Sequence, residues 1–283
     1  MLTTLREILV PARENSYAVP GFDCVEDVMV RAVLETAERL RSPVAIMCLE
    51  GDLQGNGWRY IPGLVRAVAP FHDIPIALHL DHATNLELIH RAVEAGFSSV
   101  MIDGSALPFE ENVKLTKAAA DLVKPHGLSI EGELGHVGGA DLEATGHHDS
   151  IFTEPEEVVR FIEETGVDAL AVSIGTAHGV YEAEPELNIE RLRELNAVSP
   201  IPLVLHGGSG TPEAQIREAI RNGICKLNIF ADSRIAMARG MKRSVEGFTR
   251  PDPLPRQLFG PIQEEVARVA AEKIALFGSA DRV

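Results

Sequence analysis

Basic residues are scarce in this chain. Against 42 Asp and Glu, its 283 residues include only 26 Lys and Arg, for a formal net charge of −16. That balance excludes a protein built to grip nucleic acid, whose phosphate backbones are held by clustered Lys and Arg. Small phosphorylated ligands stay open, since they need only a few local donors. Cysteine is scarcer still: Cys24, Cys48 and Cys225 lie far apart, without CxxC metal or redox spacing, so buried reduced thiols in a reducing cytoplasm are expected. No apolar run approaches the roughly 20 residues that span a bilayer, so no membrane partner is expected. The opening MLTTLREILVPAREN lacks the basic segment, long apolar run and cleavage site of a secretory signal. There is also no linker rich in Pro, Ser and charge, no low-complexity tract and no repeated motif. A single domain over 1–283 follows.

What is present is alternation. Short β-rich runs, at 17–23, 43–50, 74–81, 99–105, 128–135, 169–175, 202–208 and 225–230, are separated by segments with apolar residues at three- and four-residue spacing. The runs read apolar on both faces, as buried parallel strands do. Gly96, Gly127, Gly166 and Gly223 each stand where a helix should close, and Thr153 with Glu156 reads as a capping box. Eight such units in this length predict an α/β fold, the (β/α)8 TIM barrel, with a doubly wound open sheet as the alternative. The segment 135–153 reads as a long loop on the C-terminal face, where lids and barrel active sites sit. The tail 250–283 reads as a Pro-rich connection into a long amphipathic helix that either closes the barrel or packs on a partner subunit.

Polar residues converge at the strand ends of that barrel. Asp81 and His82 end the third strand in IPIALHLDH, and Glu131 and Glu133 lie on one side of the fifth. His178 follows the sixth strand and His206 ends the seventh. Three histidines and a carboxylate at equivalent ends suit a divalent ion such as zinc. His79 shares a strand side with Asp81. The remaining histidines, including His72, His90, His126 and His136, read as surface positions. HGGSG, with Gly207, Gly208 and Ser209, runs into a helix and reads as an anion cradle. KLNIFADSR, carrying Asn228, Ile229, Phe230 and Ala231, forms a second turn of this kind after strand eight. A metal beside a phosphate pocket and a carboxylate implies chemistry at a carbonyl near a phosphate, with Asp81 carrying the proton.

Together YAVPGFD, LHLDH, EGELGHVGG, GTAHGVY, LHGGSG, KLNIF and the tail PRQLFGP…EKIALFGSADR make the chain resemble the class II, zinc-dependent fructose-bisphosphate aldolase family, in particular its tagatose-bisphosphate aldolase-like branch. The resemblance implies reversible cleavage of fructose or tagatose 1,6-bisphosphate to dihydroxyacetone phosphate and an aldehyde, through a metal-stabilised enediolate. It implies zinc on His82, His178 and His206, with Glu133 able to join the shell. It gives Asp81 the proton of the C4 hydroxyl, and Gly179, Gly207, Ser209 and Asn228 the dihydroxyacetone phosphate half. It also implies a monovalent cation, Na+ or K+, near the phosphate loops in some relatives. A homodimer or homotetramer is expected from it, with Arg256 reaching a neighbour's substrate.

Departures from the family pattern cluster where substrate would lie. Asp23 replaces a common Asn, Leu49 a Ser and Ala231 a frequent Thr, and Asp141 stands where the lid usually supplies Glu, with Glu143 nearby. An ionised Asp23 would repel a phosphate by about 4 kcal/mol at 4 Å in an effective dielectric near 20. Beside the bisphosphates that the resemblance implies, the alternative expectation is an aldolase for a different ketose phosphate, one with a single phosphate among them. A zinc hydrolase and a non-catalytic sugar-phosphate binder on the same barrel are the rival readings. The hydrolase lacks its His-x-His on the first strand, and the binder would show no proton exchange at C1.

Overall fold

The computed structural model describes residues 1–140, 147–148, 150–179 and 185–283. Eight strands carry the architecture: β1 (Val19–Asp23), β2 (Val44–Cys48), β3 (Ile76–Ala83), β4 (Ser99–Ile102), β5 (Ser129–Leu134), β6 (Ala169–Val172), β7 (Leu203–Leu205) and β8 (Ile224–Ile229). Each pairs in parallel with the next, and β8 returns to β1 with Lys226 beside Val19 and Asn228 beside Gly21. The sheet is therefore a closed barrel, and the open doubly wound alternative is excluded. A helix α1 (Leu5–Glu14) precedes β1. Between strands run α2 (Asp27–Arg39), α3 (Gly57–Val68), α4 (Leu86–Ala95), α5 (Phe109–Val123), α6 (Pro155–Thr165), α7 (Ile189–Val198) and α8 (Glu213–Arg221), and α9 (Ala231–Glu246) and α10 (Pro255–Phe277) follow β8.

Strand alternation divides the interior in two. Val19, Ala45, Ala77, Met101, Ala169 and Val204 point inward and fill the lower barrel, and Leu5, Ile8, Leu9 and Ala12 of α1 stopper its base. The next inward positions up are polar: His79 and Asp81 on β3, Glu131 and Glu133 on β5, Lys226 and Asn228 on β8, all buried. A dry base beneath a polar upper half leaves chemistry only at the C-terminal mouth. The three cysteines are free and buried, as expected.

The C-terminal tail closes the ring of helices. Helix α10 lies against α9 and α2, burying Ile262, Val266, Val269, Ala270, Ile274 and Phe277. Full burial stabilises each large apolar side chain by about 1.5–3 kcal/mol, which explains why the tail packs on its own barrel. The α9–α10 crossing is so close that a Cβ on Gly240 would lie 2.4 Å from Ile262 Cα. Gly240→Ala is therefore expected to cost about 1–3 kcal/mol through overpacking. Thermal unfolding checks it, and an unchanged midpoint would contradict the packing argument.

Three local expectations are corrected. Thr153 does not cap α6, whose N-cap is Glu154. Instead its hydroxyl donates to the Leu134 carbonyl and accepts from the Ser173 amide, stitching β5 to β6. Gly223 has a positive φ of 114° but sits one residue beyond the Asn222 cap of α8. The segment after β5 is not structureless where it is described: Gly138–Ala140 pairs in parallel with Ala177–His178 and antiparallel with His147–His148. Ser150 donates to the Thr176 carbonyl and accepts from the Gly138 amide, tying the base of this segment to the loop after β6.

Candidate active site

Asp81 and His82 are sequence neighbours that a regular strand would send to opposite faces. The strand is not regular there. His82 adopts a left-handed φ of 47°, and the β3–β4 register shifts between Leu80 and Ala83. Left-handed backbone costs an ordinary residue roughly 1–2 kcal/mol, and such strain gathers where function requires it. The result brings both side chains to the barrel mouth, with Asp81 Oδ2 and His82 Nε2 4.0 Å apart.

Two hydrogen bonds fix the imidazoles. His82 Nδ1–H donates to Asp103 Oδ2 at 2.8 Å, turning Nε2 inward. His206 Nε2–H donates to Glu131 Oε1 at 2.8 Å, turning Nδ1 inward. The inward nitrogens, His82 Nε2 and His206 Nδ1, then meet at 2.7 Å. Two imidazole lone pairs repel at that distance unless a cation or a proton lies between them. Burial pushes the His82 pKa down, but Asp81, Asp103 and Glu133 outweigh it and raise it well above the usual range. Burial and the neighbouring His82 lower that of His206.

The remaining carboxyls divide into two kinds. Burial pushes Asp81 up, yet His82, His79, His206 and Lys226 hold it well below the ordinary value, and Asn228 Nδ2 donates to both its oxygens at 3.2 and 3.0 Å. Burial likewise opposes Glu131, but Lys226 and His206 bring it down to about 2. Burial, and then Asp103, raise Glu133 well above its usual range. Burial raises Asp23 in the same way, helped by Asp81 and Asp52. Burial in this already acidic corner thus works against the full negative charge expected on Asp23.

Asp81, His82 and His206 offer ligand atoms within 4.8 Å of one another, and His82, Asp103 and Glu133 form a second such group. The donors are imidazole nitrogens and carboxylate oxygens, the set zinc accepts, and each ligating imidazole has its other nitrogen anchored. Several buried polar atoms have no partner among the described residues: Asp23 Oδ1, Glu133 Oε2, Asn228 Oδ1, Thr176 Oγ1 and Ser233 Oγ among them. In a folded protein such atoms call for an explanation, such as a catalytic role, an ordered water or an ion. His178 belongs to the short strand Ala177–His178, but its side chain lies outside the described residues, as do Asp141 and Glu143.

At the turns expected to cradle an anion, Gly208 and Ser209 are buried and Gly207 half-buried. Ser209 Oγ accepts from the Asp232 amide at 3.3 Å, joining the turn after β7 to the start of α9. Lys273 holds the Asp232 carboxylate at 2.6 Å, which offsets an acid where an anion would dock. Ile229 faces the outer helical layer, leaving its backbone to the mouth, while Phe230 is the N-cap of α9 and Ala231 its first residue. Gly179 is half-buried beside His178. Leu49 directly follows β2, half-buried. His136, expected at the surface, is half-buried with Nδ1 2.9 Å from Ser105 Oγ. Sequence reasoning missed Asp103 and Lys226 and gave Glu131 no role. The available signal was a charged residue inside an otherwise apolar strand, in VMID and CKLNI.

A closed parallel barrel whose mouth gathers histidines and carboxylates defines the class: a TIM-barrel enzyme with a candidate metal centre. The match to known proteins narrows this. Residues 3–282 match the model of the family described as fructose-bisphosphate aldolase class-II. The YdjI aldolase of Escherichia coli K12 is 34% identical, with a TM-score of 0.89 over 100% of this chain and 99% of that one. Fructose-bisphosphate aldolase (Fba) of Campylobacter jejuni is 25% identical, with a TM-score of 0.84 over 100% and 97% of the two chains. The chain belongs to the class II fructose-bisphosphate aldolase family, and it is a carbon–carbon lyase.

Proposed function

We propose that this chain is a zinc-dependent aldolase that reversibly cleaves a ketose phosphate into dihydroxyacetone phosphate and an aldehyde. The observation that carries this reading is the 2.7 Å approach of His82 Nε2 and His206 Nδ1, with the Asp81 carboxylate alongside. His82, His206 and His178 would hold the ion, with Glu133 in reserve. Bound there, zinc would polarise the ketose carbonyl.

The protein's own groups supply the rest. Asp81, kept ionised and oriented by Asn228, accepts the C4 hydroxyl proton during cleavage and returns it during condensation. The amides of Gly207, Gly208 and Ser209, with those of Ile229, Phe230 and Ala231, hold the phosphate of the three-carbon half at two helix starts. Gly179 and Asn228 border that half. Asp141 or Glu143 exchanges the C1 proton. The chain would act as a homodimer or homotetramer, in keeping with the exposed Met241, Val245, Phe248 and Phe259 around the α9–α10 turn.

The distal half of the substrate meets Asp23, Leu49 and Asp52 rather than donors. An incoming phosphate dianion would add charge to a corner where Asp23, Asp81 and Asp52 already crowd one another. The favoured ketose therefore carries a single phosphate, at C1. Condensation of dihydroxyacetone phosphate with a panel of aldehydes tests this: uncharged hydroxyaldehydes should outperform glyceraldehyde 3-phosphate, and equal or better turnover of fructose 1,6-bisphosphate than of ketose 1-phosphates would refute it. Asp23→Asn, which exchanges a carboxyl for an amide whose N–H groups can donate to a phosphate, should raise kcat/KM for fructose 1,6-bisphosphate relative to a ketose 1-phosphate by about tenfold, a shift of about 1.4 kcal/mol.

A further inference from the structure

The centre of the barrel holds a lysine that the aldolase chemistry does not use. Lys226 is fully buried, and its Nζ lies 2.9 Å from Glu131 Oε2. The other oxygen of the same carboxylate accepts from His206 Nε2–H at 2.8 Å. One rigid carboxylate thus spans an ammonium on β8 and an imidazole at the end of β7. His206 can offer an unprotonated Nδ1 inward only while its proton stays on Nε2. Ring orientation and tautomer are set together by the hydrogen bond a histidine makes with its other nitrogen.

The fold makes room for this lysine. A Cβ on Gly21 would lie 3.4 Å from Lys226 Cε and 2.6 Å from Met47 Sδ, so the glycine of β1 lets the long stem cross the barrel beside Met47. The lysine therefore sits in a slot shaped to aim its ammonium at Glu131.

We propose that Lys226 is a positioning residue for the metal centre, acting through Glu131 to keep His206 turned with its Nδ1 toward the ion. It touches neither ion nor substrate. The ammonium pins Oε2 and thereby aims Oε1 at Nε2. Without it, the carboxylate is free to rotate within the barrel and His206 loses its fixed partner. The inference rests on His206 being a ligand, and the two ideas fail differently. Were His206 no ligand, wild-type protein and His206→Ala would retain zinc alike. Were Lys226 not the positioner, only its own replacement would be silent.

Two measurements test it, neither needing turnover. The first is the histidine tautomer in metal-free protein, read by 15N–1H correlation on histidine-labelled protein. In the wild type, His206 should carry its proton on Nε2. In Lys226→Met it should show a mixture of the two neutral forms. The second is zinc affinity by competition with a chelator. Lys226→Met should bind zinc about 10–100-fold more weakly, the range seen when an outer partner of a metal ligand is lost. The double variant Lys226→Met/Glu131→Gln should recover most of that affinity, because the amide oxygen still accepts from Nε2–H and no lone charge is left buried. Unchanged tautomer and affinity in Lys226→Met would overturn the proposal. So would a loss that the double variant fails to restore, which would mark Lys226 as part of the barrel's packing only. If the single variant does not fold, the double variant decides: a folded protein with near wild-type zinc affinity supports the role, and a folded protein without it, or none, refutes it.

Discussion

Replacing His206 by alanine should strip the protein of zinc and silence it while leaving the barrel intact. The imidazole supplies one of the two inward nitrogens that meet at 2.7 Å, and no other described side chain stands ready to take its place at the end of β7. Loss of carbonyl polarisation removes several kcal/mol of transition-state stabilisation. At about 4 kcal/mol that is roughly a thousandfold in rate. Dialysed protein should carry well under a tenth of an equivalent of zinc by elemental analysis. The fold should survive because the lower barrel core and the α1 stopper do not involve this residue, so far-ultraviolet circular dichroism should match the wild type. Stoichiometric zinc with full activity in the variant would refute the ligand assignment.

Asp81→Asn should separate proton transfer from metal binding. Asparagine keeps the shape and still accepts one hydrogen bond from Asn228 Nδ2, but it cannot take the C4 proton. Positioned acid–base groups contribute about 10²–10⁴-fold, so kcat for cleavage should fall by about a thousandfold. Zinc content should stay stoichiometric, since His82 and His206 keep their anchors on Asp103 and Glu131. Exchange of the C1 proton of dihydroxyacetone phosphate should remain near the wild-type rate, because the proposed mechanism gives that step to Asp141 or Glu143. A parallel fall in exchange would mean that Asp81 serves the C1 proton instead. For the lid, Asp141→Ala and Glu143→Ala should be compared by the same exchange assay, and the slower one identifies the base.

The barrel was legible because its signal is local. Each strand declares itself by a short β-rich apolar run, and each helix by its spacing, so the eight units and their order follow directly. Asp81, His82 and His206 were legible too, as polar residues placed where apolar strands end. Glu131 and Lys226 were harder to read. They lie 95 residues apart, and neither has a stated purpose until strand closure points both at one axis. Asp103 lies inside the run 99–105 without a role that the sequence gives it, and only its 2.8 Å bond to His82 gives it work.

By itself, the sequence determined the eight β–α units, the strand ends that gather the polar residues, and the residue types available there, because periodicity and strand ends are properties of neighbouring residues; closure into a barrel rather than an open sheet came with the β8–β1 pairing. The tertiary structure decided which nitrogen of each histidine faces inward and that His82 leaves the strand's alternation at a positive φ. It also decided that Asp23 is buried beside Asp81 and Asp52, and that a buried lysine and His206 share one carboxylate, Glu131. These depend on distances and desolvation between residues remote in sequence, and only the closed barrel fixes those.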